Sequence, residues 1–199
     1  MSTASAAFFA AVQRAPAYRA VLSEVVRAAP PGGPGRLWLD VGCGPGLVAR
    51  LAAERGYDSL GVDTDAAMIA IARRRRTAAR FQRLDAESPL PAADVVSATS
   101  LLCQVPEPAR TLTTLWAAVR PGGMLIVLET SSLMTVDRLR SASAHGDPWS
   151  RCVMSAWARA RAGRAVDPRI FEVLPVPPEG TELLDGAVDL WIIRRGETA

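Results

Sequence analysis

The sequence predicts an α/β fold, a doubly wound sheet of mostly parallel strands with helices packed against it. Three observations carry this. The stretch Leu37-Trp38-Leu39-Asp40-Val41-Gly42-Cys43-Gly44-Pro45-Gly46 reads as an apolar strand that enters a glycine-rich turn and opens a helix. A second short apolar run ends in an acid, Asp63, twenty-three positions after Asp40. Runs of strand length then alternate with helix-patterned segments as far as Glu129.

Taken in order, Ser2 to Ala29 has the pattern of helix, with Phe8, Phe9, Val12, Leu22, Val25 and Val26 as its apolar stripe and a break at Pro16. Pro30-Pro31-Gly32-Gly33-Pro34-Gly35 is a linker by composition. The first strand follows, then a helix from Leu47 to Arg55, whose N-terminal N–H groups face the glycine turn and attract a carboxylate or phosphate. Asp58 to Asp63 is the second strand. Asp65 suits the cap of a helix over Ala66 to Arg76, although Asp63 is a second possible cap. Phe81 to Ala86 is the third strand and its exit, where Asp85 and Glu87 also fit simple turn chemistry. Ala93 to Ser100 is apolar at its centre, as a buried parallel strand should be. Pro108 to Val119 is helical, Arg120-Pro121-Gly122-Gly123 ends it, and Met124 to Glu129 is the fifth strand. A helical segment is expected near Cys152 to Ala162. Phe171–Val176 and Val188–Arg194 read as a terminal hairpin.

Length and composition limit the rest. With 199 residues and 49% hydrophobic content, one globular domain covers the chain, with helices and linker over 1–35 and the core over 36–199. The net charge is +3, and much of the excess sits in Arg73-Arg74-Arg75-Arg76, which reads as a solvated helix end. No aromatics interleave with it, so nucleic acid is not an expected partner. Cys43, Cys103 and Cys152 cannot all pair, and their spacing does not suit zinc. No basic n-region opens the chain and no apolar run nears ~20 residues. A cytoplasmic protein without a membrane anchor is the expectation.

Leu-Asp-Val-Gly-Cys-Gly-Pro-Gly resembles the first motif of the class I S-adenosylmethionine-dependent methyltransferases, of the small-molecule type. The spacing is G-x-G-x-G, and Leu47 stands where a dinucleotide fingerprint carries its third glycine. The acids ending strands two and three, and Arg-Pro-Gly-Gly before strand five, recur in that family in the same order. The resemblance spans about Leu37 to Ile193. It implies a Rossmann-like seven-stranded sheet, mostly parallel, with a C-terminal antiparallel strand. It also implies S-adenosyl-L-methionine as cofactor. Asp40, Gly42, Cys43, Gly44 and Gly46 would border its methionine end, Asp63 with Thr64 the ribose, and Asp85 and Ala86 the adenine. Ser100 and Leu101 would lie by the reactive methyl. The N-terminal helices would cover the cofactor, with Tyr18 a possible contact.

A small-molecule methyl acceptor is the expected partner, seated between the N-terminal helices and the segment from Ser131 to Ala162. Trp149, Trp157 and the arginines near His145 suit an aromatic or anionic acceptor, and equally suit packing and solvated surface. Relatives often carry histidine where this chain has Cys103 and Gln104, so no such role transfers, and Cys103 reads as a packing residue. His145, the sole histidine, is the one candidate general base. No His, Asp and Glu group has metal-ligand spacing. The competing readings are a nicotinamide-dependent oxidoreductase and a non-catalytic cofactor-binding or partner protein that keeps this fold.

Overall fold

Trp38 and Leu39 are neighbours in one strand, both fully buried, and they join different core clusters. That is the mark of a strand covered on both faces, because successive side chains point to opposite sides of a sheet. The same alternation recurs at Val95 and Val96, and from Met124 to Leu128. The computed structural model, which describes residues 3–142 and 147–197, builds its sheet on this pattern.

The strands are β1 (Leu37–Val41), β2 (Asp58–Asp63), β3 (Arg80–Arg83), β4 (Ala93–Thr99), β5 (Val119–Thr130), β6 (Glu179–Leu183) and β7 (Val188–Arg194). They form one sheet in the order β3-β2-β1-β4-β5-β7-β6. β1 to β5 run parallel, and β7 pairs antiparallel with both β5 and β6. The doubly wound, seven-stranded expectation is what the structure has. The order reverses between β1 and β4, and ligands in such sheets sit outside the carboxyl ends at this switch point.

The helices are α1 (Thr3–Val12), α2 (Pro16–Arg27), α3 (Leu47–Glu54), α4 (Ala66–Arg73), α5 (Pro108–Ala117), α6 (Val136–Ala142) and α7 (Pro148–Arg161). α2, α3 and α7 bury Leu22, Val48 and Trp157 in the cluster that holds Trp38. α5 buries Leu112 and Leu115 in the cluster that holds Leu39. Pro16 opens α2, where its missing N–H costs nothing. Asp65 caps α4, accepting from Ala67 N at 2.7 Å and Met68 N at 3.3 Å. The linker is pinned: Tyr57 Oη donates to Pro30 O at 2.7 Å, and Gly32 N donates to Arg55 O at 2.9 Å.

Several boundaries differ from the sequence reading: α4 ends at Arg73 rather than Arg76, α7 begins at Pro148 rather than near Cys152, and β3 ends at Arg83. The first hairpin strand is β6, not Phe171–Val176. Pro168–Val173 instead winds as a 3-10 turn, because Asp167 caps it with Pro168 in its first turn. Pro175, which has no N–H for a ladder, already argues against a strand there. Arg120–Gly123 is not a turn before β5 but a bulge inside it. Ala93 pairs with Val119, yet Val95 pairs with Met124. Asp94 holds the bulge, accepting from Leu37 N at 2.8 Å and from Arg120 Nη1 at 2.8 Å.

Candidate active site

The turn after β1 leaves the strand at Gly42 with φ 69°. A Cβ at Gly42 would stand 2.9 Å from Leu101 Cδ1, so the exit of β4 packs directly on the turn. Gly46, the N-cap of α3, has φ 80°, and a Cβ there would meet the Phe81 ring at 2.4 Å. These positions require glycine for different reasons, one to admit the β4 loop and one to admit β3. Buried Arg50 braces the turn by donating to Pro45 O at 2.6 Å.

Above the turn is a cavity of about 440 Å³, within the size range of small-molecule sites. Its floor is Gly42, Cys43, Gly44 and Pro45. One wall is Asp63, Thr64, Asp65 and Met68, with Leu84 and Ala86 beyond; another is Thr99, Ser100, Leu101, Gln104 and Val105. Phe9 and Gln13 from the α1 segment, Tyr18 from α2 and Arg161 from α7 close it over, with Arg164 beside them. The N-terminal helices and the segment after β5 therefore meet over the carboxyl ends of the parallel strands.

Asp63 is aimed by the backbone. Its Oδ2 accepts from Gly44 N at 2.9 Å and its Oδ1 from Asp65 N at 2.8 Å. Burial raises its pKa, while these two N–H groups pull it down. The carboxylate on the cavity wall is thus fixed in orientation, as a bidentate diol ligand must be.

Of the other residues singled out in the sequence, Gly42, Cys43, Gly44, Thr64, Ala86, Ser100 and Leu101 also line the cavity. Asp40, Gly46 and Asp85 do not. Asp40 is 1% exposed beneath the turn, where Ser97 Oγ donates to its Oδ1 at 2.8 Å and Trp38 Nε1 donates to Ser97 Oγ at 2.8 Å. Burial pushes its pKa up to about 7. Asp85 is exposed, and its Oδ1 accepts from Glu87 N at 2.9 Å, the turn chemistry of its sequence context. Trp157 packs edge-to-face on Tyr18 at 4.9 Å, away from the cavity wall, and Trp149 is 47% exposed. His145 lies outside the described residues. Among the described residues no three His, Cys, Asp or Glu side chains gather to hold a metal.

The structure adds detail at two residues already named from the sequence, Ser100 and Tyr18, and brings Glu129, Gln13, Gln104 and Arg161 to the site or directly behind it. Ser100 has φ 52° and is 5% exposed, a strained non-glycine conformation at the cavity wall. Its N donates to Leu128 O at 2.7 Å, and its carbonyl accepts from the Gln104 side chain. The Tyr18 hydroxyl shares a hydrogen bond with Ser100, and burial pushes its pKa up to about 12. Behind this loop Glu129 is fully buried at the end of β5. Its Oε1 accepts from Leu102 N at 2.6 Å, its Oε2 has no hydrogen-bond partner, and the nearby N–H groups of Leu101 and Cys103 moderate its pKa. Burial raises its pKa to about 7. Glu129 had a signal, since it ends an apolar strand as Asp40 and Asp63 do. Gln13, Gln104 and Arg161 had none, being polar residues in segments whose periodicity marks only apolar faces.

A profile of the methyltransferase domain matches residues 12–162, and the chain belongs to that family. It is 33% identical over 161 residues to a trans-aconitate 2-methyltransferase of Methylobacterium radiotolerans, covering 78% of this chain and 60% of that one. It is 34% identical over 98 residues to a ubiquinone biosynthesis O-methyltransferase of Acinetobacter baumannii, covering 45% of this chain and 41% of the other. It thus spans less than two thirds of the length of these relatives. Its fold is similar to that of a TehB-like SAM-dependent methyltransferase from Corynebacterium glutamicum, with TM-score 0.67 and 18% identity over 98% of this chain and 100% of that one. The plantazolicin methyltransferase BpumL in complex with SAH gives TM-score 0.65 at 14% identity, over 94% and 89% of the two chains.

Proposed function

We propose that this chain is an S-adenosylmethionine-dependent methyltransferase that acts on a small-molecule acceptor. The observation that carries the reading is Asp63, held by Gly44 N and Asp65 N on the wall of a cavity floored by the glycine turn. The residues fit the cofactor. Gly42, Cys43 and Gly44 present backbone to its methionine end, with Gln13 above them. Asp63 and Thr64 take the ribose hydroxyls. Met68, Leu84 and Ala86 form an apolar slot for the adenine, and Asp85, whose Oδ1 accepts from Glu87 N, offers its other oxygen to a ring amino group.

The bound cofactor supplies an electrophilic methyl group. The protein's task is then alignment, and proximity with orientation is worth roughly 7–11 kcal/mol of barrier. Ser100, Leu101 and Gln104 border the end of the cavity where the acceptor enters, under Tyr18 and Phe9. Among the described residues no helix is long and apolar enough to cross a membrane. A cytoplasmic setting and independence from nucleic acid belong to this proposal.

Titration calorimetry should find one S-adenosylhomocysteine site per chain. Asp63→Ala should weaken it by about 1.5–3 kcal/mol, the range for hydrogen bonds to a charged group. Unchanged affinity in the folded variant removes the ribose assignment, and binding of NAD instead favours the oxidoreductase reading.

A further inference from the structure

Two arginines are buried among the described residues, Arg50 and Arg161. Arg50 donates to Pro45 O. Arg161, in the last turn of α7, is 4% exposed and lines the cavity, yet its guanidinium makes no hydrogen bond or ion pair with any described residue. Its Nε is enclosed without a partner. Its direct contact is the face of the Phe9 ring, 5.0 Å from the guanidinium carbon. Arginine never loses its charge in a protein, and a buried charge without a counter-charge is costly.

The chain's own acids do not answer it. Glu129 is near enough to act on Tyr18 and Cys103, as Arg161 does. Its Oε1, however, accepts from Leu102 N at 2.6 Å, and its buried Oε2 has no hydrogen-bond partner, Arg161 included. Asp63 is tied to Gly44 N and Asp65 N. Arg164 adds a second cation to the same wall. Arg161 thus sits with Tyr18, which is bonded to Ser100 at the end of β4, whereas Gln13 stands over Gly44 at the glycine turn.

We propose that Arg161 is the anchor for a carboxylate of the methyl acceptor, with Phe9 and Tyr18 against its carbon skeleton. The inference rests on the methyltransferase reading above. The cofactor brings a carboxylate of its own, and the two sources separate experimentally. The wild type, Arg161→Met and Arg161→Lys are titrated with S-adenosylhomocysteine. At saturation each is titrated with small mono-, di- and tricarboxylic acids and with their neutral methyl esters. Melting of each ligand-free chain is recorded alongside.

At least one acid should bind the wild type well above its ester. Arg161→Met should lose that acid by about thirtyfold or more, as expected for a charge-assisted pair, with S-adenosylhomocysteine affinity held within about threefold. Arg161→Lys should keep part of the acid binding, since charge remains but the planar fork is lost. Removing an unanswered charge should raise Tm by about 2–4 °C in Arg161→Met. Esters binding as well as acids, or a tenfold loss confined to S-adenosylhomocysteine, overturns the proposal. A lower Tm with both affinities unchanged assigns Arg161 to structure instead. Arg161-dependent acid binding in a wild type that binds no S-adenosylhomocysteine leaves the anion site standing and removes the methyltransferase reading.

Discussion

Glu129 is a carboxyl group that the fold keeps dry and still uses. Burial lifts its pKa from an ordinary 4.5 to about 7, so the native chain holds this proton more tightly than the unfolded chain does. The stabilisation is complete below pH 4.5 and is lost as the pH rises through 7. For a shift of this size it is about 3 kcal/mol. Asp40, also pushed up to about 7 by burial, adds in the same direction. Urea unfolding at pH 5, 6, 7 and 8 should therefore show stability falling across the series. Glu129→Gln should flatten the slope and leave the residual part to Asp40. An unaltered slope in that variant would show that Glu129 is solvated in solution.

At the scale of elements, the glycine turn divides into positions that serve the fold and positions that serve the cavity. A Cβ at Gly46 strikes the Phe81 ring at 2.4 Å with φ at 80°, whereas a Cβ at Gly44 finds nothing closer than Gln13 Nε2 at 3.9 Å. Left-handed backbone costs a non-glycine residue about 1–2 kcal/mol, and overpacking adds about 1–3. Gly46→Ala should lower stability by about 2–5 kcal/mol in chemical denaturation. Gly44→Ala should cost only about 1–2 kcal/mol of stability, and its defect should appear mainly in S-adenosylhomocysteine titration. Equal losses in the two variants would refute this division. β1, β2 and β4 were legible in the sequence to within a residue, because buried parallel strands leave unbroken apolar runs and Asp58 to Asp63 ends in a marked acid. The Arg120–Gly123 bulge and β6 were not. A bulge is set by which partner its neighbours pair with, and β6, Glu179–Leu183, is an edge strand with almost no apolar burial to announce it. The cavity floor was legible because backbone geometry demands glycine there. Its roof was legible only in outline, as the N-terminal helices with Tyr18, because Gln13 and Arg161 reach it through tertiary packing that leaves no periodic mark.

For the whole molecule, the two N-terminal helices are not equivalent. α2 packs on α3, α7 and β5, with Leu22 and Val25 fully buried, so it belongs to the core. α1 packs on α4 and α7 and carries Phe9, with Gln13 just after it. Removing residues 1–14 should leave a cooperative unfolding transition and weaken S-adenosylhomocysteine about tenfold, the scale of one lost hydrogen bond with its shielding. A truncated chain that no longer unfolds cooperatively would show that Val12, which α1 buries in the same core cluster, is needed for the fold.

The position of β7 between β5 and β6 also bears on how the chain is made. β5 contributes Met124 to Thr130 to the ladder with β7, and those seven residues are buried. Until residues 188–194 leave the ribosome, this central strand is an open edge, apolar on both sides and free to pair with any extended neighbour. Its proper partner arrives as a hairpin whose turn, Leu184-Asp185-Gly186, holds three successive residues at positive φ. The nascent chain therefore passes through a window in which this buried, mostly apolar strand is synthesised and unprotected. A ribosome stall or a premature stop before Val188 would turn this interior strand into a template for association between chains.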